Sequence, residues 1–89
     1  MNEPVTVLLF TSKNSPYFQV SIDELRKIME ALEHIQPFTS QIIDVNENPE
    51  LAEKYKVDAV PTIIIGDKRF IGRPDATDIL KIVQYNPNL

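Results

Sequence analysis

The sequence contains no cysteine and no tryptophan, and only two glycines and one histidine among its 89 residues. Without thiols the chain can form no disulfide, hold no thiolate-ligated metal or iron–sulfur cluster, and perform no thiol-based catalysis. Two glycines, Gly66 and Gly72, are too few for a glycine-rich phosphate loop. His34 has only Glu30 and Glu33 as local partners, a weak set for a metal. An exposed histidine near a helix C-terminus, where a cation suits the dipole, is the better reading. No apolar run approaches the ~20 residues that span a bilayer. The opening Met1-Asn2-Glu3-Pro4 also lacks the basic and apolar regions of a signal peptide. Nine basic residues against thirteen acidic ones leave a net charge of −4, the wrong sign for a general nucleic-acid binder. These absences predict a cytoplasmic protein that needs no cofactor or metal and binds neither nucleic acid nor membrane.

What is present reads as an ordinary globular chain, 43% hydrophobic and 25% charged. The length suits one domain, expected over residues 1–85, with Asn86-Pro87-Asn88-Leu89 as a frayed tail. Val5 to Phe10 is nearly continuously apolar, the pattern of a strand buried on both faces. Beyond a polar loop, Ile22, Leu25, Ile28, Met29, Leu32 and Ile35 recur at helical spacing. Two starts are open to that helix: Ser15-Pro16 as cap plus first-turn proline, or Ser21-Ile22-Asp23-Glu24 as a capping box. It should end before Pro37.

Phe38 to Val45 reads as a second strand, and Asn48-Pro49 opens a short helix with Leu51 and Tyr55 one turn apart. Pro61 leads into the β-branched Thr62-Ile63-Ile64-Ile65, Gly66-Asp67 marks a turn, and Arg69-Phe70-Ile71 returns antiparallel. Asp75 can cap a last helix whose Ile79, Leu80, Ile82 and Val83 face the sheet. The order βαβ-α-ββα, with a right-handed parallel crossover, predicts an α/β fold of the thioredoxin-like kind, a four-stranded mixed sheet flanked by helices.

Three stretches carry the functional reading. Ser15-Pro16-Tyr17-Phe18 at a strand–helix junction resembles the Cys-Pro-Tyr-Cys of a glutaredoxin, with Ser15 and Phe18 in the cysteine positions. Val60-Pro61-Thr62 resembles the segment that carries a cis proline beside that motif in thioredoxins, and a cis bond there would offer backbone groups to an extended partner segment. Disulfide exchange needs an attacking thiolate and a resolving thiol, and neither Ser15 nor Phe18 can serve. The acidic runs Asp23-Glu24, Glu30/Glu33 and Glu47/Glu50/Glu53 fall on helix faces or starts, where solvated charge explains them better than a carboxylate pair. Lys68, Arg69 and Arg73 form one basic cluster, suited either to docking an acidic surface or to discouraging strand addition at an edge hairpin. Tyr17 and Phe18 are adjacent and cannot both enter the core, so one is a candidate exposed anchor for a protein partner.

A second resemblance covers nearly the whole chain. Leu9-Phe10 through Asn14-Ser15-Pro16, then Ile43-Asp44-Val45 followed by Asn48-Pro49-Glu50-Leu51-Ala52-Glu53, then Ala59-Val60-Pro61-Thr62, is similar to the KaiB family of circadian-clock proteins. The resemblance implies a non-enzymatic adaptor that switches between two folds and, in its thioredoxin-like form, binds a KaiC-type ATPase ring. The chain departs from the family in its C-terminal third, where Ile63 to Gly72 is a compact hairpin and Arg73 stands where an aspartate is usual. Strong β-formers on both sides of a short turn favour the thioredoxin-like state. The expectation is therefore a monomer resting in that state, with Asn14, Ser15, Pro16, Tyr17, Phe18, Val60, Pro61, Thr62, Lys68, Arg69 and Arg73 as partner-binding residues. The competing reading is a cysteine-less thioredoxin or glutaredoxin homologue with a partner outside the clock.

Overall fold

Val5–Thr11 forms strand β1, and every side chain in it except Thr6 is buried. The computed structural model, which describes residues 3–84, shows why. After β1 come helix α1 (Phe18–Leu32), β2 (Phe38–Asp44), α2 (Pro49–Lys54), β3 (Thr62–Ile65), β4 (Lys68–Ile71) and α3 (Ala76–Gln84). The four strands make one sheet in the order β2-β1-β3-β4, so β1 lies inside it. β1 and β2 run parallel, joined by the α1 crossover, while β1–β3 and β3–β4 are antiparallel. This is the mixed sheet that the element order predicts. The expected tail, residues 86–89, lies outside the described residues.

Alternation along β1 and β3 sends side chains to both faces of the sheet. Val5, Val7, Leu9, Ile63 and Ile65 meet Leu25, Ile28 and Leu32 of α1 and Ala76, Ile79 and Val83 of α3. On the opposite face Leu8, Phe10, Ile43 and Ile64 meet Ala52 of α2, and the Phe10 ring lies 5.6 Å from that of Tyr55. The β3–β4 hairpin closes through Gly66-Asp67, with Gly66 at φ +59° as the first central residue, a backbone conformation that favours glycine.

Local details differ from the sequence expectation at several places. Neither proposed start of α1 is used. Ser15 and Pro16 instead occupy the first two positions of a turn closed by Phe18 N–H donating to Ser15 O (3.1 Å), and the helix begins at Phe18. Those residue types suit a type I turn as well as they suit a cap. Ser21 lies inside the first turn, fully buried, its hydroxyl donating to Phe18 O at 2.8 Å. Ile35 falls beyond the helix end and is exposed. Ile82 is also exposed, because the stripe that meets the sheet runs through Ala76, Ile79, Leu80 and Val83.

The start of α3 is finished by two side chains, the end of α2 by backbone bonds. Asp75 caps α3 as expected, its carboxylate accepting Asp78 N–H at 3.2 Å. Glu24, read from the sequence as solvated charge or as the far member of a capping box, instead reaches from α1 to accept Ala76 N–H at 2.9 Å. At the end of α2, Lys56 N–H donates to Glu53 O (3.0 Å) and Val57 N–H to Ala52 O (2.8 Å), with Lys56 at φ +57°. That is a Schellman termination with lysine where glycine is usual.

Candidate binding site at the loop end of the sheet

Register gathers the candidate residues. Phe10 sits opposite both Ile43 of β2 and Thr62 of β3, so the loops leaving β1 and β2 and the loop leading into β3 emerge from the same end of the sheet. Ile71 pairs with Thr62, which brings Gly72 and Arg73 to that end as well. Asn14, Ser15, Pro16, Tyr17, Phe18, Val60, Pro61, Thr62 and Arg73 all lie there.

The first loop is held by side chains that the sequence reading did not single out. Ser12, buried at the end of β1, accepts hydrogen bonds from Asn14 N–H (3.2 Å) and Asn46 Nδ2 (2.8 Å). The Asp44 carboxylate accepts Asn46 N–H (2.8 Å) and Lys13 N–H (3.2 Å), and the Lys13 ammonium pairs with Glu47 at 3.1 Å. The Asn46 backbone bond, followed by the Lys13 one, holds the Asp44 carboxyl below its usual range. The Glu47 carboxylate raises the Lys13 ammonium above its own, through its hydrogen bond and its charge. The loop after β1 is thereby tied to the loop after β2. The signal was present in Asp44-Val45-Asn46, since Asp and Asn in a turn bond nearby backbone, but the pattern does not say which loop is bound.

Within the Ser15–Phe18 turn the Ser15 hydroxyl accepts Tyr17 N–H at 3.1 Å. His34 is exposed beyond the far end of α1, so the one histidine is not set beside Ser15. Of the two adjacent aromatics, Tyr17 is 44% exposed and Phe18 is half-buried at the helix start. Across from them the Val60–Pro61 peptide is cis, with Pro61 and Thr62 buried and Val60 half-buried. Thr62 Oγ1 donates to Ala59 O at 2.7 Å, and Pro61 O accepts Gly72 N–H at 2.9 Å. Gly72 stands at φ +98°, which lets the chain leave β4 past the proline loop.

The basic cluster does not assemble. Lys68 opens β4 opposite Ile65, at the other end of the strand pair from Thr62 and Ile71. Arg69 turns to the α2 face, where its guanidinium donates to Lys56 O at 3.1 Å and to Tyr55 O, covering carbonyls at the end of α2. Only Arg73 of the three remains at the loop end. The alternation of strand side chains separates Lys68 from Arg69, although they are neighbours in sequence.

Among the described residues no cluster of His, Asp and Glu could hold a metal ion, and no helix is long and apolar enough to cross a membrane. The loop end of the sheet thus presents the exposed Tyr17 ring, the half-buried Val60 before the cis proline, and Arg73, whose charge acts on Glu24.

Comparison with known proteins agrees with this architecture. A curated thioredoxin from Methanocaldococcus jannaschii is 32% identical over 83 residues, covering 90% of this chain and 93% of that protein. Among solved structures, one described as a malarial protein superposes with a TM-score of 0.80 at 22% identity, covering 93% of this chain and 97% of its own. Mitochondrial thioredoxin 3 from Saccharomyces cerevisiae gives 0.76 at 21% identity, covering 94% and 80%. Likeness at that identity shows the thioredoxin-like fold. The KaiB domain family matches residues 8–84, nearly all of the described chain. The chain thus belongs to the KaiB family and adopts a thioredoxin-like fold without any cysteine.

Proposed function

We propose that this protein is a non-catalytic binding module that rests in the thioredoxin-like state and docks a KaiC-type ATPase through the loop end of its sheet. The observation that carries the reading is that Ser15 and Phe18 stand where the resemblance puts a dithiol, in a turn that exposes Tyr17 at the same end of the sheet as the Val60–Pro61–Thr62 loop. An exposed aromatic is the kind of group that dominates protein interfaces. The test is co-migration with a KaiC-type ATPase ring in size exclusion. Tyr17→Ala should weaken capture at least about tenfold, as truncating an aromatic anchor commonly does, with no change in melting temperature. Absence of co-migration by the native chain overturns the choice of partner.

A second reading, a cysteine-less thioredoxin homologue with a partner outside the clock, draws on the 32% identical relative called thioredoxin. Insulin reduction with dithiothreitol separates a redox role from a binding role: turnover above the buffer rate would overturn the non-catalytic proposal.

A further inference from the structure

The sheet has two edges, and they are protected unequally. β4 is a short edge of four residues carrying Lys68 and Arg69, and charge of this kind discourages strand addition. β2 is seven residues long, contains no lysine, arginine or proline, and bears its only charge at Asp44, its last residue. Thr39, Ser40, Gln41 and Ile42 are all exposed, Ile42 by 48%.

The hydrogen-bonding direction along β2 can be read from its ends. Pro37 O accepts Val5 N–H at 3.1 Å and Val45 N–H donates to Thr11 O at 2.9 Å. Odd-numbered residues of β2 therefore direct their backbone groups to β1, and alternation turns those of Phe38, Ser40 and Ile42 away from the sheet.

We propose that β2 pairs with β2 of a second copy, antiparallel about a two-fold axis at Ser40, joining the two sheets into one. In that register Ser40 faces Ser40, Thr39 faces Gln41, and Phe38 of each copy faces Ile42 of the other. The outward backbone groups of Phe38, Ser40 and Ile42 then find partners, and the exposed Ile42 gains an aromatic neighbour on the same face, a favourable cross-strand pair. Charge permits the arrangement despite the net −4 of each chain, because Asp44 falls opposite the neutral Gln36. Like charges are not set face to face. The two-fold closes on itself, since it uses β2 of both copies and leaves only the charged β4 edges outside. The expectation of a monomer then holds at low concentration only.

Sedimentation velocity on the full chain from about 1 µM to about 1 mM reads this directly, because dimers resting on one small strand interface dissociate in that range. The native chain should shift from monomer to dimer as concentration rises. Ile42→Lys, at an exposed side chain, and Ser40→Pro, which removes an outward N–H, should each raise the dissociation constant at least about tenfold. If Ser40→Pro fails to fold, amide exchange on the native chain replaces it: the Ser40 and Ile42 amides should become protected with increasing concentration. A native chain that is monomeric throughout overturns the proposal. So does a dimer that both folded variants retain at native strength, or assembly that grows past two copies without limit.

Discussion

The two faces of the sheet are built differently. Against one lie α1 and α3, fifteen and nine residues long, which cover Val5, Val7, Leu9, Ile63 and Ile65 with interlocking aliphatic side chains. Against the other lies only α2, six residues long, with Ala52 its one fully buried side chain among the described residues. The short helix leaves part of that face open. A groove of about 390 Å³ runs beneath Tyr55, floored by Thr6, Leu8 and Ile64. One face is held chiefly by area removed from water, while the other adds to its smaller apolar cluster a few directed contacts: the Schellman termination, the Arg69 guanidinium on the last carbonyls of α2, and the Phe10–Tyr55 ring contact. Apolar area is non-directional and tolerates small shifts, whereas a directed contact is lost once its geometry fails.

The largest effect should come from opening a cavity on the thick face. Ile28 is fully buried between the sheet and its helical neighbours, so Ile28→Ala should cost about 2–5 kcal/mol by lost transfer energy plus cavity. Leu51, half-buried on α2 against the smaller cluster, should cost clearly less on truncation to alanine. Urea unfolding of both variants measures the difference. Equal losses would show that the two faces contribute alike and break the comparison.

The same contrast explains what was legible in the sequence. The thick face is periodic: Leu25, Ile28 and Leu32 on α1 and Ile79 and Val83 on α3 recur at helical spacing, and β1 announces itself as an unbroken apolar run. Both the fold and the loop end of the sheet follow, the latter because Ser15 to Phe18 and Val60 to Thr62 sit at element boundaries set by that pattern. Glu24, Arg69 and Asp44 were not legible in this way. Each is a polar side chain for which water is an equally good partner in the sequence, and its real partner is set by tertiary approach. Glu24 meets Ala76 across 52 positions of chain. Lys68 and Arg69 mislead for a related reason: adjacency in sequence suggests one patch, and the pleat sends them to opposite faces.

Glu24 tests whether α1 and α3 act as one layer. Its carboxylate accepts the Ala76 amide and pairs with Lys27 at 2.7 Å, and these, the amide bond first, hold its carboxyl below the usual range. A carboxyl depressed in the folded state contributes stability above its unfolded value, near 4.3, and that contribution is lost as pH falls through the folded value. Glu24→Gln keeps an acceptor but removes the charge from the N-terminus of α3. It should cost roughly 0.5–1 kcal/mol at neutral pH, with the gap between variant and native chain closing below about pH 4. Chemical unfolding at pH 7 and pH 3 measures it. A gap that persists unchanged at pH 3 would mean that the charge does no work at this contact.

An effect of similar size and opposite sign belongs to the thin face. Lys56 holds φ +57° so that α2 can end and Val57 can return to the cluster beneath it. A side chain with a Cβ is strained in that region by about 1–2 kcal/mol. Glycine carries no such strain but has more freedom to lose on folding, which offsets part of the gain. The backbone carbonyl that Arg69 binds and the two amide bonds of the Schellman turn belong to the main chain and survive the substitution. Lys56→Gly should therefore stabilise the protein by roughly 0.5–1 kcal/mol, seen as a rise in melting temperature of a few degrees for a domain of this size. The thin face would then gain stability with no added apolar area, as expected where directed backbone geometry rather than burial sets the strength. A fall in melting temperature would place the lysine side chain itself among the contacts that hold α2 to the sheet.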